Sequence, residues 1–561
     1  MKAHFLWVIV LLVFFENARA QSGKSDFFKI NGQISFSYEN YSYSTINYDN
    51  FRARYPDDLI KFNANTTLYF GKYFKIPVGV NYSNQQFAYF VPEIPQNGLY
   101  DYIRTPRNNF HINPTYKWAR LDLGTYTSKY SDLTTGNVRV FGVGFEINPG
   151  KFILSAHYGT SQIAVDAVPE YHLPGAYERN FMSARIGYGK IKGGKFTLNM
   201  VKIKDDVNSV NVKPVGVKPM EGISFAPLLE IHLFKNLTLK TETGASITTK
   251  DLLAKDDLLS YDNKIMTVNN TTIMDFAHVS SLNWKNKKLR LGLEFRYVGP
   301  GYLFAGYRNT ETDIIDYKLL TGFNLFKNKL IINAVTGIRK NNIRNTKLTK
   351  NDRFIGNINL FAQLTNRLSV NAGYSNFGFN NNTNDPMFRV EMVNNSFSLS
   401  PVYKIKTKSK MHQFSAVASF NRFKQYDFYQ QAFVNTESNS YNASYIINFF
   451  KKNLMLGTNF MYLENQSPYI HLKMTNYSLF SGYSFLKKTM QANVYATLTN
   501  YQRDLFTADN KINLKMKLNY KLTKKLNTSV SYSLNNNRFG SYKPGAVSNE
   551  NRVSFMITQN F

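Results

Sequence analysis

The sequence predicts an all-β protein, a transmembrane antiparallel up-and-down β-barrel of about 26 strands, within a range of roughly 22–28. Three observations support this fold class. The chain begins with an apolar leader, it alternates apolar and polar residues over most of its length, and short polar turns alternate with longer loops.

The first twenty residues have the pattern of a secretory signal peptide. Lys2 gives a basic start, residues 5–15 (FLWVIVLLVFF) form an apolar run, and Ala18 and Ala20 complete an Ala-x-Ala cleavage pattern. The apolar run is shorter than the roughly 20 residues that a membrane-spanning helix needs. We therefore expect residues 1–20 to be cleaved, residues 21–28 to form a short periplasmic segment, and residues 29–561 to form one barrel in the outer membrane.

The alternation has a period of two. Residues 511–522 (KINLKMKLNYKL) place Ile, Leu, Met and Tyr on one face and Lys or Asn on the other, and residues 288–298 do the same. Successive side chains of a strand point to opposite faces, whereas a helix would mix Leu with Lys on every face. We expect the polar face to line the lumen, through Arg290, Glu294, Arg296, Lys511, Lys515 and Lys517.

Short turns punctuate the strands. Residues such as 326–329 (FKNK) and 450–453 (FKKN) are rich in Lys and Asn, which tolerate tight backbone turns. Twelve such turns are expected near residues 72, 118, 149, 191, 235, 286, 328, 366, 407, 452, 488 and 524. Longer loops follow at the opposite ends, for example residues 84–108, 160–180 and 249–272. Two strands per turn, with one strand added at each end of the chain, give 26 strands and place the short turns in the periplasm.

A repeat of about 40 residues is also typical of β-propellers. A propeller blade, however, needs four short strands per repeat, and each repeat here holds two long ones. The Gly-His and Trp-Asp signatures of propeller repeats are missing as well. The barrel is therefore the better interpretation.

The net charge of +31 raises the question of a nucleic-acid partner. The basic residues are spread along the whole chain and form no nucleic-acid-binding module, so we expect none. The chain has no cysteine and therefore no disulfides.

The sequence gives little sign of catalysis or of a bound metal. The histidines after the leader, at positions 111, 157, 172, 232, 278, 412 and 471, show no recognisable spacing to Ser or Asp, so we expect no enzyme activity and no cofactor. An acidic loop with Asp251, Asp256, Asp257 and Asp262 lacks the spacing of a calcium loop. The basic residues between 339 and 353 could bind phosphate, but solvated charge is the simpler interpretation.

The last strand pattern carries an assembly signal. Val553, Phe555 and Ile557 alternate with polar residues, and the chain ends on Phe561. An aromatic residue at the end of an amphipathic last strand is typical of the signal that barrel-insertion machinery recognises. We expect these four residues to provide that signal.

Several segments of the first third resemble a family of largely uncharacterised outer-membrane barrels of Bacteroidota. They are residues 51–56 (FRARYP), 113–118 (NPTYKW), 142–150 (GVGFEINPG) and 158–162 (YGTSQ). The resemblance covers about 160 residues. It lies in these short segments and in the Lys/Asn/Tyr-rich composition, and includes no motif tied to a mechanism. It implies a porin-like outer-membrane barrel, and an association with secretion or gliding is one property found among such barrels.

Two function classes remain open at this point. One is a porin-like passive channel with a basic lumen, embedded in outer-membrane lipid. The other is a non-enzymatic component of a secretion or surface-assembly machine, whose barrel is occluded by its loops or by a partner protein. The loop at residues 84–108 is the candidate occluding element, because it offers the apolar rings of Phe87, Tyr89, Phe90 and Tyr100.

Overall fold

In the computed structural model, the chain forms one closed antiparallel β-barrel of 26 strands. The structure describes residues 27–84, 99–106, 108–171, 174–190, 193–254, 261–262, 265–303, 305, 312–345, 350, 352–380, 391–427, 432–468, 470–504, 506–540 and 543–561. The expected signal peptide with Ala18 and Ala20 lies outside the described residues, as do Phe87, Tyr89 and Phe90 of the candidate occluding loop.

The first thirteen strands lie between residues 28 and 298, and β4 is interrupted. They are β1 Phe28–Ile46, β2 Asp58–Phe70, β3 Phe74–Ser83, β4 Phe110–Ile112 with Thr115–Tyr116, β5 Ala119–Ser128, β6 Val138–Ile147, β7 Phe152–Gln162, β8 Glu178–Gly189, β9 Lys195–Asp206, β10 Glu221–Phe234, β11 Leu237–Thr249, β12 Thr272–Lys285 and β13 Leu289–Val298.

The other thirteen strands complete the barrel. They are β14 Ile314–Leu325, β15 Leu330–Asn341, β16 Asp352–Gln363, β17 Leu368–Asn380, β18 Glu391–Lys406, β19 Lys410–Asp427, β20 Ala432–Phe449, β21 Leu454–Gln466, β22 His471–Phe485, β23 Met490–Arg503, β24 Asp509–Lys521, β25 Leu526–Arg538 and β26 Val547–Asn560.

Each strand pairs with its neighbours in the chain, and β26 closes the barrel by pairing with β1. In this seam Phe555 pairs with Tyr38, and Ser554 pairs with Glu39. The 26-strand antiparallel barrel expected from the alternation is thereby confirmed. A propeller is excluded, because one continuous sheet contains all 26 strands.

All twelve expected short turns join two strands at one end of the barrel, called here the short-turn end. Asn328 and Asn453 adopt left-handed backbone angles there, with φ of 67° and 51°, which Asn tolerates better than most residues. The opposite, long-loop end contains a six-residue helix, Leu99–Arg104, and a small ribbon of Tyr261–Asp262 paired with Thr267–Val268. Among the described residues, no helix is long and apolar enough to cross a membrane.

The outer face of the barrel is apolar and exposed. Leu293, Tyr317 and Phe354, on β13, β14 and β16, are 59%, 54% and 51% exposed. Apolar side chains with this exposure cover the wall of the barrel on many other strands as well. A soluble protein rarely exposes an apolar surface of this extent.

Candidate functional site

One loop at the long-loop end folds into the barrel. This inward loop, residues 129–137, joins β5 to β6. Leu133 at its tip is fully buried, and its backbone N–H donates to a carboxylate oxygen of Glu242 at 3.0 Å. Glu242 lies near the middle of β11, and Leu133 also packs against Ala226 of β10 and Ala277 of β12. The contacted face of these strands is opposite to the one that carries exposed apolar side chains such as Phe225 and Phe276, so it is the lumen face.

A second segment, residues 299–303 after β13, packs beside the inward loop. The phenol of Tyr302 donates to the backbone oxygen of Leu133 at 2.7 Å. The N–H of Leu303 donates to the Ser246 hydroxyl, and the Ser224 hydroxyl donates to the Leu303 carbonyl, both at 3.0 Å. The barrel wall therefore satisfies the polar backbone groups that this segment buries.

Two glycines of the lumen face make room for this segment. A Cβ atom added at Gly244 would lie 2.2 Å from the Tyr302 hydroxyl, and one added at Gly222 would lie 2.3 Å from the Leu303 side chain. Both distances are far below van der Waals contact, so any larger residue would displace the segment.

The root of the inward loop is held by a buried polar chain. The Tyr130 hydroxyl lies 2.5 Å from Nδ1 of His157, and Nε2 of His157 lies 3.0 Å from the Asp122 carboxylate. The guanidinium of Arg185 lies over the Tyr130 ring, 4.6 Å from its centroid. This network connects the loop to β5, β7 and β8.

Asp122, Glu146 and His157 offer ligand atoms that lie within 4.8 Å of one another, which is compatible with a metal site. Arg120, however, donates to Asp122 at 2.9 Å and lies 3.2 Å from Glu146. Both nitrogens of His157 are also engaged in the chain described above. The arrangement therefore suits an anchor for the loop better than a bound cation.

Paired residues of adjacent strands share a face, so the lumen face can be followed around the barrel. Alternate residues of one strand also share a face, so each strand can be entered at one residue and left at another. The lumen face runs from β13 to β24 through the register pairs Val298–Ile314, Ile314–Asn341, Gly337–Ile355, Asn357–Ser375, Ser375–Ser396, Ser396–Asn421, Ser415–Ser444, Ser444–Asn459, Asn459–Ser478, Ser478–Thr497 and Thr497–Asn513. All six residues expected to line the lumen, Arg290, Glu294, Arg296, Lys511, Lys515 and Lys517, share this face.

Acidic residues accompany the basic ones on β12–β15. Asp316 is fully buried and binds Arg339 through two nitrogen–oxygen contacts of 2.5 and 2.7 Å. Lys318 lies 3.0 Å from Glu294 and 3.2 Å from Asp316, and Arg344 lies 2.7 Å from Asp275. The expectation of simple solvated charge between residues 339 and 353 is therefore wrong for Arg339 and Arg344, which form ion pairs.

The lumen divides into two sectors. On β5–β15, the packed sector, lumen-facing Ser155, Asn199 and Ser224 are all 0% exposed. On β17–β24, the open sector, Gly482 is the only described residue that is buried. At about 4.8 Å per strand and a tilt of about 40°, 26 strands give a perimeter of about 160 Å. A nine-residue loop measures at most about 32 Å when extended, so it cannot line the whole wall.

The open sector is neutral and polar over most of its width. Ser415 and Ser444 hydroxyls lie 2.6 Å apart across two strands, and Ser478 and Thr497 hydroxyls lie 3.2 Å apart. Lys511, Lys515 and Lys517 stand at one side of this wall, and no ion pair to them is found within the described part of the chain. β24 thus carries a row of three lysines on the lumen face, and Lys404 and Lys406 of β18 share that face.

The remaining residues predicted from the sequence belong to the expected assembly signal and to the candidate occluding loop. Val553, Phe555 and Ile557 lie on the outer face of β26, and the N–H of Phe561 donates to the Gly32 carbonyl at 3.0 Å. Tyr100 of the candidate occluding loop is 70% exposed. The inward loop was not anticipated from the sequence.

No protein-family model and no curated protein matches the chain. Among solved structures, it is similar to the translocation pore of the P pilus usher PapC, with 11% identity, 94% of this chain and 98% of that chain covered, and a TM-score of 0.36. OccAB2 of Acinetobacter baumannii gives 12% identity, coverage of 65% and 97%, and a TM-score of 0.31. FpvA of P. aeruginosa, solved with heterologous pyoverdines, gives 10% identity, coverage of 95% and 72%, and a TM-score of 0.38. Similarities this low in identity and TM-score carry no information on activity or substrate.

Proposed function

We propose that the protein is an outer-membrane, porin-like passive channel whose solutes pass along the open sector. The exposed apolar outer face fits a lipid environment, because apolar side chains facing lipid alternate with polar ones facing the lumen in membrane barrels. The apolar leader of the sequence fits export to the outer membrane. The observation that carries the proposal is a contrast within the described part of the chain: the polar wall of β17–β24 is not covered, whereas the wall of β5–β15 is packed.

The lysines of β24 give the channel its selectivity. Lys511, Lys515 and Lys517 lie on the lumen face and have no acidic partner among the residues that the structure describes, whereas Lys318 is paired with two carboxylates. Rings and rows of Lys or Arg bias a pore toward anions.

The reversal potential of the purified protein in a planar bilayer with a KCl gradient tests this function. The wild-type protein conducts and prefers chloride, and a variant with Lys511→Gln, Lys515→Gln and Lys517→Gln loses most of that preference. A control with Lys451→Gln, Lys452→Gln and Lys524→Gln removes the same charge from exposed turns and keeps the preference.

A closed wild-type barrel, or a preference for potassium, contradicts the channel. A closed barrel is the result expected for the second function class, a component of a secretion or surface-assembly machine in which a partner protein seals the open sector.

A further inference from the structure

A cavity of about 530 Å³ opens on the lumen face of β22–β25, near the long-loop end. Its wall includes Asn476, Thr499, Lys511 and Asn513 from three adjacent strands, and Arg54 from the loop between β1 and β2. Small-molecule sites commonly have volumes of about 300–1,000 Å³ and a few convergent polar groups. The cavity therefore has the size and lining of a site for a small solute.

Amides and hydroxyls form a ladder across this wall. The Asn476 amide donates to the Thr499 hydroxyl at 2.9 Å, and the Ser478 hydroxyl donates to the Asn476 carbonyl at 2.9 Å. The Asn513 amide donates to the side-chain carbonyl of Asn535. Each amide retains a second N–H, and the Thr499 hydroxyl retains its own O–H. These bonds fix the side chains in position and leave donors and acceptors for the hydroxyls of a ligand.

Three cations line the same cavity, Arg54, Lys511 and Arg538, and the first two retain free donors. Lys511 has no ion-pair partner among the described residues. Arg54 is 52% exposed and lies 3.6 Å from Glu550, which leaves most of its five N–H donors available. Glu550 also accepts from the Tyr41 hydroxyl at 2.9 Å, and Asp509 accepts from the Gly540 N–H at 2.7 Å. The carboxylates near the cavity are thus engaged, while Arg54 and Lys511 retain free donors.

An aromatic ring borders the cavity. Phe539 lines it and packs edge-to-face on Tyr48, with ring centroids 5.3 Å apart. Tyr48 is in turn covered by the Lys543 ammonium, 3.9 Å from its centroid. A ring fixed in this way offers an apolar surface for the C–H face of a sugar, beside polar groups that suit its hydroxyls.

We propose that this cavity is a binding subsite for a short anionic saccharide, which reaches it through the lumen. Lys511 and Arg54 bind the carboxylate, the Asn and Thr ladder binds the hydroxyls, and Phe539 supports the sugar ring. The inference deepens the proposed channel by assigning it a solute class.

Isothermal titration calorimetry of the purified, detergent-solubilised protein tests the subsite. We expect trigalacturonate to bind. Maltotriose has hydroxyls without carboxylates, and succinate has carboxylates without hydroxyls. Both are expected to bind at least tenfold more weakly than trigalacturonate. Lys511→Gln and Arg54→Gln each weaken trigalacturonate binding at least tenfold. Lys524→Gln, in an exposed turn at the opposite end of the barrel, leaves it unchanged.

Lys511→Arg preserves the charge and restores binding, which separates recognition from damage to the fold. Equal binding of succinate and trigalacturonate, or binding that survives both Lys511→Gln and Arg54→Gln, overturns the subsite. Calorimetry does not depend on conduction. A protein that binds trigalacturonate but does not conduct ions supports the subsite and refutes the channel. A protein that conducts ions but does not bind trigalacturonate supports the channel and refutes the subsite.

Discussion

The hydroxyl of Tyr130 lies 2.5 Å from Nδ1 of His157, and the opposite nitrogen of the same ring lies 3.0 Å from Asp122. Burial raises the pKa of Tyr130 to about 12, so its hydroxyl keeps its proton. The two nitrogens of the His157 ring thus connect Tyr130 to Asp122. This pairing ties the first residues of the inward loop to the barrel wall.

Tyr130→Phe removes the hydroxyl that pairs with Nδ1 of His157 and leaves this buried nitrogen without its partner. We expect a loss of about 1–3 kcal/mol in unfolding free energy. The thermal unfolding midpoint in detergent falls, and the channel in a planar bilayer shows more frequent current fluctuations because the loop is loosened. Tyr188→Phe, on the outer face where Tyr188 is 63% exposed, is the matched control and changes neither quantity. If Tyr130→Phe behaves like this control, the polar chain does not anchor the loop.

The two faces of β24 are expected to respond differently to charge. Leu514→Arg directs a cation toward lipid and costs about 2–4 kcal/mol near the bilayer midplane. Lys515→Glu on the lumen face is nearly neutral for folding. Urea titration of the refolded barrel in lipid vesicles measures both changes. Comparable destabilisation by the two substitutions is incompatible with an apolar face in lipid and a polar face in water.

The local features of this fold can be predicted from the sequence, because they depend on neighbouring residues. Period-two alternation defines the strands, and Lys/Asn-rich turns define their ends, which is why all twelve turns and the strand number are correct. Both signals are present within any stretch of about 40 residues. No distant contact is needed to recognise them.

The inward loop depends on distant contacts. Leu133 is 109 residues from Glu242 and 169 residues from Tyr302, and its own loop has no distinctive pattern. The sequence did contain one signal. Small residues such as Gly222 and Gly244 occupy alternate positions of β10 and β11, on the lumen face, where they leave room for a covering segment. The same limit applies to Arg339 and Arg344, since a basic stretch does not reveal the carboxylates that it meets after folding.

The end of the chain supports a prediction about assembly. Phe561 follows β26, the strand that closes the barrel against β1. Deleting Phe561 is expected to impair insertion and to leave protease-sensitive protein in the periplasm, because the insertion machinery loses its signal. Gel mobility with and without heating, after membrane fractionation, measures the folded fraction. Wild-type amounts of heat-modifiable barrel after the deletion would show that Phe561 is not part of the signal.

The division of the lumen into a packed and an open sector can be mapped by single cysteines, because the chain has none of its own. Asn442→Cys and Ser478→Cys place a thiol on the open sector. Ser183→Cys and Ser246→Cys place one on the packed sector, where both serines are 1% exposed. The measurement is the channel current in a planar bilayer before and after a negatively charged methanethiosulfonate reagent. The account predicts a stepwise fall in current at the two open-sector positions and no change at the two packed-sector positions. Equal modification in both sectors, or no effect at Asn442→Cys and Ser478→Cys in a conducting channel, would contradict it.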